Sequence, residues 1–207
     1  MLRPPGQSLL ELLAAIAVIS LAVVGLSALG TASLAAAAQS ASRLQAAYLA
    51  LEGVEYLRYA RDQNVADGLP WSNGILITDP DHANLVPTYG LVGKEYAFQS
   101  VFGVGDHDQP LARLYATAIG VPTGQGIAAQ GADYVGGTAA PTQFTRVITV
   151  QAVCFAAKGT TEWLENPGTP CSDGSAPVGA EIQSDVEWSA RGASYHQAFN
   201  TRLYGWQ

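Results

Sequence analysis

Between Arg3 and Arg43 one side chain alone carries a formal charge, the carboxylate of Glu11. A run so poor in charge is unsuited to the surface of a water-soluble domain, and its stretch Leu9–Leu29 is long enough to cross a bilayer as a helix. One crossing is expected. Arg3 and the amino group of Met1 precede it, so the rule that positive charge stays inside puts Met1 in the cytoplasm and the remainder of the chain across the membrane. The 48% hydrophobic content of the 207 residues is raised by this region, and the residues beyond it have a slightly polar globular composition.

Three readings fit such a segment. A cleaved secretory signal would use a small-residue site such as Ala35 to Ala38, but its apolar stretch is shorter, roughly 7–15 residues. It would also have no use for a carboxylate, which costs about 2.5–3.5 kcal/mol at mid-membrane. An ordinary anchor would place Glu11 close enough to the interface for its side chain to reach water.

The third reading uses the whole string Pro5-Gly6-Gln7-Ser8-Leu9-Leu10-Glu11. It resembles the leader of type IV prepilins and type II secretion pseudopilins. The resemblance implies a leader of residues 1–6, cleavage of the Gly6-Gln7 bond by a prepilin peptidase, and N-methylation of Gln7, where the family most often has Phe. Glu11 is then the fifth residue of the mature chain and serves assembly. The physics is favourable: cleavage would leave a positive amine at a helix N-terminus, and a carboxylate one turn on suits both the helix dipole and pairing with such an amine in an apolar medium.

No proline interrupts Gln7 to Leu69, and Leu44, Tyr48, Leu51, Val54 and Leu57 recur at spacings of three and four, an amphipathic stripe. A helix over residues 7–64 is therefore expected, with about 9–29 in the membrane, on the order of 85 Å long. Gly25 and Gly30 are its weak points. Ala28, Ala32 and Ala36, one turn apart, would allow a neighbouring helix to approach closely. The run from Tyr48 to Asp62, Tyr-Leu-Ala-Leu-Glu-Gly-Val-Glu-Tyr-Leu-Arg-Tyr-Ala-Arg-Asp, also resembles the end of the helical stem in minor pilins. Glu55 with Arg58, and Glu52 with Arg58 or Tyr56, are spaced for contacts along one helix face.

Residues 65–207 form the expected exported domain, rich in turn residues and short apolar runs. Strands are expected at Gly74–Asp79, Lys94–Val104, Ala112–Val121, Gln143–Ala156, Ala180–Ala190 and Tyr195–Trp206, with Arg191-Gly192-Ala193-Ser194 as a hairpin turn. The fold class is α+β: a long N-terminal helix, transmembrane in its first part, with a meander of three or four antiparallel strands laid on its later part in a pilin-like lollipop. Trp188 and Trp206 fall in strands and are read as packing, whereas Trp71 and Trp163 flank loops and are the better surface candidates.

Ten Lys and Arg against 17 Asp and Glu give a net charge near −7, and the arginines are scattered, so no surface for nucleic acid is expected. Cys154 and Cys171 form no C-x-x-C and have no histidine nearby. Outside the cytoplasm they suit a disulfide, worth about 3 kcal/mol by chain entropy, and otherwise two buried thiols. The chain has no phosphate-binding loop, nucleophile elbow or zinc-protease motif. Asp106-His107-Asp108, or Asp79 with Asp81 and His82, are candidate ligands for a hard cation, and Glu162, Glu165 and Asp173 are candidates for a carboxylate pair, but acidic turn residues ordinarily cap and solubilise. No enzyme and no cofactor are expected.

The resemblance implies a minor pilin or pilin-like subunit of a filament, with a prepilin peptidase, other pilin subunits and the inner-membrane assembly platform as partners, moving from the cytoplasmic membrane to a pilus or pseudopilus. A type II secretion pseudopilin is the neighbouring alternative. A singly anchored binding protein that never polymerises is the alternative of another class.

Overall fold

The computed structural model describes residues 5–76, 84–89, 96–101, 107, 112–116, 128–130, 140–156 and 161–205. Helix α1 runs over Pro5–Ala66, 62 residues. Proline suits its first position, where the missing N–H would have had no intrahelical acceptor. Pro5 and Gly6 thus join the helix, which also extends beyond residue 64. The far end closes on Gly68 in the left-handed region (φ 72), with Asp67 N–H donating to the Gln63 carbonyl and Leu69 N–H to that of Asn64. Pro70 comes next. Gly25 and Gly30 lie within the helix without breaking it.

The chain divides into two compact units, Met1–Arg43 and Leu44–Gln207. In the first, every described side chain from residue 9 to 34 is exposed. The hydroxyls of Ser20, Ser27, Thr31 and Ser40 donate back to the carbonyls of Ile16, Val23, Ala28 and Ala36, at 2.8–2.9 Å. Such back-bonding satisfies a hydroxyl without water, which an apolar medium requires.

The second unit carries an antiparallel sheet of eight strands: β1 Asn84–Tyr89, β2 Tyr96–Val101, β3 Arg113–Ala116, β4 Ala128–Gln130, β5 Ala140–Phe155, β6 Glu162–Leu164, β7 Gly179–Ala190 and β8 Ala193–Tyr204. The 16-residue β5 is its hub. One edge of β5 pairs with β7 from Phe144 to Val153, and β7 pairs along its length with β8. The other edge is shared by β3 at residues 140–145, β1 at 148–149 and β6 at 153–155, with β4 and β2 beyond. The sheet is therefore wider than a three- or four-stranded meander, because one long strand can seat several short ones end to end.

Several expected boundaries change for local reasons. Gly74–Leu76 is turn and bend, with Gly74 at φ 69, where a strand was expected to start. The remainder of that segment to Asp79, and parts of the segments Lys94–Val104 and Ala112–Val121, lie outside the described residues. Strand β1 escapes a sequence reading because it contains Pro87, tolerable here since β1 pairs with β5 only at Asn84 and Leu85. Strands β4 and β6 have three residues each, too short for a periodic signal. The β7–β8 turn is the two residues Arg191 and Gly192, both at positive φ (54 and 78), as a type I′ hairpin requires, and Ala193 and Ser194 belong to β8.

The face of the sheet that packs on α1 consists of alternate residues: Phe144, Arg146, Ile148, Val150 and Ala152 on β5, with Ala180, Ile182, Ser184, Val186 and Trp188 on β7. Against them lie Ala46, Ala50, Val54 and Leu57 of α1, all fully buried. Leu44, Tyr48 and Leu51, expected in that stripe, are instead exposed. Small residues take their place because the approach is close: a Cβ on the buried Gly53 would run into the Ser184 hydroxyl and lie 3.1 Å from Arg146 Cδ and Ile148 Cδ1. Trp188 is buried and stacks on Tyr195, with ring centres 5.6 Å apart. Trp71 and Trp163 are half-buried, each packing in part against core residues, and Trp206 lies outside the described residues.

Gly53→Ala gains roughly 1 kcal/mol of helix propensity, but overpacking costs about 1–3 kcal/mol. Chemical denaturation of this variant is expected to show lower stability than the native chain. Adding Ser184→Ala, which removes the obstructing hydroxyl, should recover most of the loss.

Candidate functional site

Gly6 and Gln7 lie in the first turn of α1. That turn is the one most easily unwound, since its N–H groups have no intrahelical acceptors. Glu11 follows Gln7 by four residues and so sits on the same face one turn on. It is exposed, as are Leu9, Leu10, Leu12 and Leu13 around it. Of the described helices, α1 is the one long and apolar enough to cross a membrane, and it lies near the N-terminus. An unpacked apolar helix of this kind suggests membrane anchoring. Ala28, Ala32 and Ala36 are exposed on it.

The second structural feature is a buried polar knot where α1 meets the sheet. Arg146 is fully buried, yet it occupies the helix-facing row of β5 between Phe144 and Ile148. Its Nη1 donates to the Leu49 carbonyl at 2.8 Å and to Glu52 Oε2 at 3.2 Å, and its guanidinium carbon stands 5.4 Å from the centre of the Tyr56 ring. The Tyr56 hydroxyl closes the circle by donating to Glu52 Oε1 at 2.9 Å. A buried cation is tolerable only when paired in this way. The Glu-Gly pair at 52 and 53 thus has packing roles: Glu52 answers the buried charge and Gly53 admits the strand beneath. Glu52 meets Tyr56 and Arg146, while Arg58 pairs with Glu55. A lone arginine at a core-phase position of an apolar strand is the signal by which the sequence could have announced the knot.

Cys154 and Cys171 form a disulfide, buried with Ala152 and packed by Trp163 and Leu76. It ties the end of β5 to the loop after β6. Glu165 reinforces the tie: one carboxylate oxygen accepts from Trp163 Nε1 and from Ser172 N–H, both at 2.7 Å. The hydrogen bond from Trp163, then those from Ser172, hold the Glu165 carboxyl below its ordinary pKa. Asp173 accepts from Ser175 N–H, and Glu162 accepts from Tyr204 and Arg202. Each of these three acids thus has its own local partner.

His107 is held on the outer face of the sheet, with Nδ1 3.1 Å from Thr145 Oγ1 and Nε2 3.4 Å from Asp185 Oδ2. His196 Nδ1 is 3.9 Å from the same Asp185 oxygen. The His107 hydrogen bond, outweighing partial burial, lowers the Asp185 pKa. Asp79, Asp81, His82, Asp106 and Asp108 lie outside the described residues. Among the described residues no group of three or more His, Cys, Asp or Glu is placed to hold a metal ion.

Comparison with protein-family models, curated proteins and solved structures finds no match for this chain.

Glu52→Ala leaves the fully buried Arg146 without its counter-charge and should lower unfolding free energy by about 3–5 kcal/mol. Arg146→Met combined with Glu52→Gln, which fills the space without charge, should lose much less in the same denaturation experiment. Asp185 makes a separate, pH-dependent contribution. Its folded pKa is depressed, so the stability it adds is complete above its unfolded value of about 3.9 and is lost as pH falls through the folded value. A melting-temperature series should therefore show a shallower acid limb for Asp185→Asn than for the native chain, with the native advantage vanishing below that window.

Proposed function

We propose that the chain is a type IV pilin-like structural subunit, a minor pilin, cut by a prepilin peptidase between Gly6 and Gln7 and assembled through its N-terminal helix. One observation carries the reading: the string Pro5-Gly6-Gln7-Ser8-Leu9-Leu10-Glu11 stands at the head of a continuous helix whose apolar side chains are unpacked and whose single ionisable group before Arg43 is Glu11. An anchor needs the apolar length but has no need of a carboxylate near its start, which costs free energy in the membrane. Assembly supplies a use for it. The new amine at Gln7, methylated by the same processing, pairs with the Glu11 carboxylate of a neighbouring subunit in an apolar medium where such a pair is strong.

In this reading the helix is held in the cytoplasmic membrane with Met1 inside, and the Leu44–Gln207 unit is exported before the subunit joins other pilins at the assembly platform. The Cys154–Cys171 disulfide supports export, since such bonds persist in oxidising compartments. The scaffold serves assembly rather than catalysis. A type II secretion pseudopilin would share the same leader and differ in the filament it joins.

Co-expression with a prepilin peptidase followed by intact-mass measurement should show loss of Met1 to Gly6, with one methyl group added at Gln7. An intact N-terminus would instead leave a singly anchored binding protein. Glu11→Val should remain in the membrane fraction and still be cut, but enter filaments poorly. Normal incorporation of that variant would remove the role given to Glu11.

A further inference from the structure

Beside the last turns of α1 lies an open cleft of about 330 Å³, lined by Arg61, Asp62, Val65, Ala66, Trp71 and Tyr204. Sites for small molecules run from roughly 300 to 1,000 Å³, so this one suits a single small ring. Its walls are built. Asn64 Nδ2 donates to the Trp71 carbonyl at 3.2 Å and to the Asn73 carbonyl at 2.8 Å, which fastens the loop bearing Trp71 to the helix. The indole lies across Gly205, where any Cβ would collide with it, and Gly205 N–H is in turn held by the Val178 carbonyl at 3.0 Å. The Tyr204 hydroxyl donates to Glu162 Oε2 at 3.0 Å. Both aromatic walls are thereby fixed in place from positions far apart in the chain.

The rim adds polar groups of a particular kind. Arg61 Nε and Nη2 both donate to Asp62 Oδ1, at 2.8 and 2.6 Å. This leaves Asp62 Oδ2 as an acceptor and Arg61 Nη1 as a donor, neither with a hydrogen-bond partner among the described residues. The two charges cancel each other.

We propose that this cleft binds a neutral saccharide ring. A pyranose has a flat C–H face, which stacks on Trp and Tyr, and an edge of vicinal hydroxyls, which an adjacent carboxylate oxygen and guanidinium N–H bind by one accepted and one donated charge-assisted hydrogen bond. An anion such as phosphate would meet an arginine already neutralised by Asp62. A purely apolar ligand would strip water from the Arg61 and Asp62 groups and return nothing. The inference does not rest on the pilin reading, since all six lining residues belong to the Leu44–Gln207 unit.

The test uses the full chain in lipid nanodiscs, which avoids glycosidic detergents. Methyl glycosides of glucose, galactose, mannose, fucose, N-acetylglucosamine and N-acetylgalactosamine are titrated, with saturation-transfer NMR and tryptophan fluorescence as readouts and benzoate and cyclohexanol in parallel. At least one glycoside should show transfer to its ring C–H protons. Asp62→Asn and Arg61→Gln should each weaken it about tenfold, the scale of one charge-assisted hydrogen bond, in protein that keeps the native circular dichroism. Trp71→Phe should weaken it as well. If that variant proves less stable, the two rim variants decide. Absence of transfer to every glycoside, undiminished binding by the rim variants, or tighter binding of benzoate or cyclohexanol than of any glycoside would each overturn the proposal.

Discussion

The second unit depends on how closely α1 approaches the sheet at Gly53. With no side chain there, the helix comes within reach of Ser184, Arg146 and Ile148. The packing around that point is set by the short distance. Ala46 and Ala50 are the helix residues that fit on one side, against Phe144, Val186 and Trp188, and Val54 and Leu57 fit on the other, against Ile148, Val150 and Ile182. Between the two clusters the guanidinium of Arg146 reaches a helix carbonyl and Glu52 directly. Dispersion and burial hold the clusters, but the register between helix and sheet is specified by the polar knot, since a slip would strand a buried cation without its partners.

A single helix meets two kinds of surroundings along its length. From Leu9 to Leu34 it presents apolar side chains on all sides and ties the Ser20, Ser27 and Thr31 hydroxyls back to its own carbonyls, the pattern of a helix solvated by something other than water. From Ala46 onward it has a buried face and a wet one, and charged residues return. Glu11 is the exception in the first part, and that exception is what the proposed assembly role turns to use. The sheet has a comparable division: one face is packed on α1, while the other displays Glu181, Gln183, Asp185 and Glu187.

Long periodic features were legible in the sequence. The extent of α1, strands β5, β7 and β8, and the α+β layout all come from apolar length, β-branched runs and the absence of proline. The helix-facing stripe was legible only in part: Val54 and Leu57 are buried as expected, the rest is not. Periodicity favours the largest apolar residues, and Leu44, Tyr48 and Leu51 carry that signal, yet a close crossing selects Ala46, Ala50 and Gly53, whose side chains are too small to register. Short β6 and proline-bearing β1 were hidden for their own reasons, and so was the cleft, because Arg61, Trp71 and Tyr204 converge only after β8 returns beside the end of the helix.

The sequence by itself determined what depends on local composition: an apolar helix with one carboxylate near its start, and a β-rich remainder with two cysteines. Only the tertiary structure decided which residues meet. Helix propensity and hydropathy are sums over neighbours along the chain, so they survive without a fold. The partnering of Arg146 with Glu52, of Gly53 with Ser184 and of Trp71 with Gly205 depends on distances between segments some ninety to more than a hundred residues apart, and such distances exist only once strand pairing has brought those segments together.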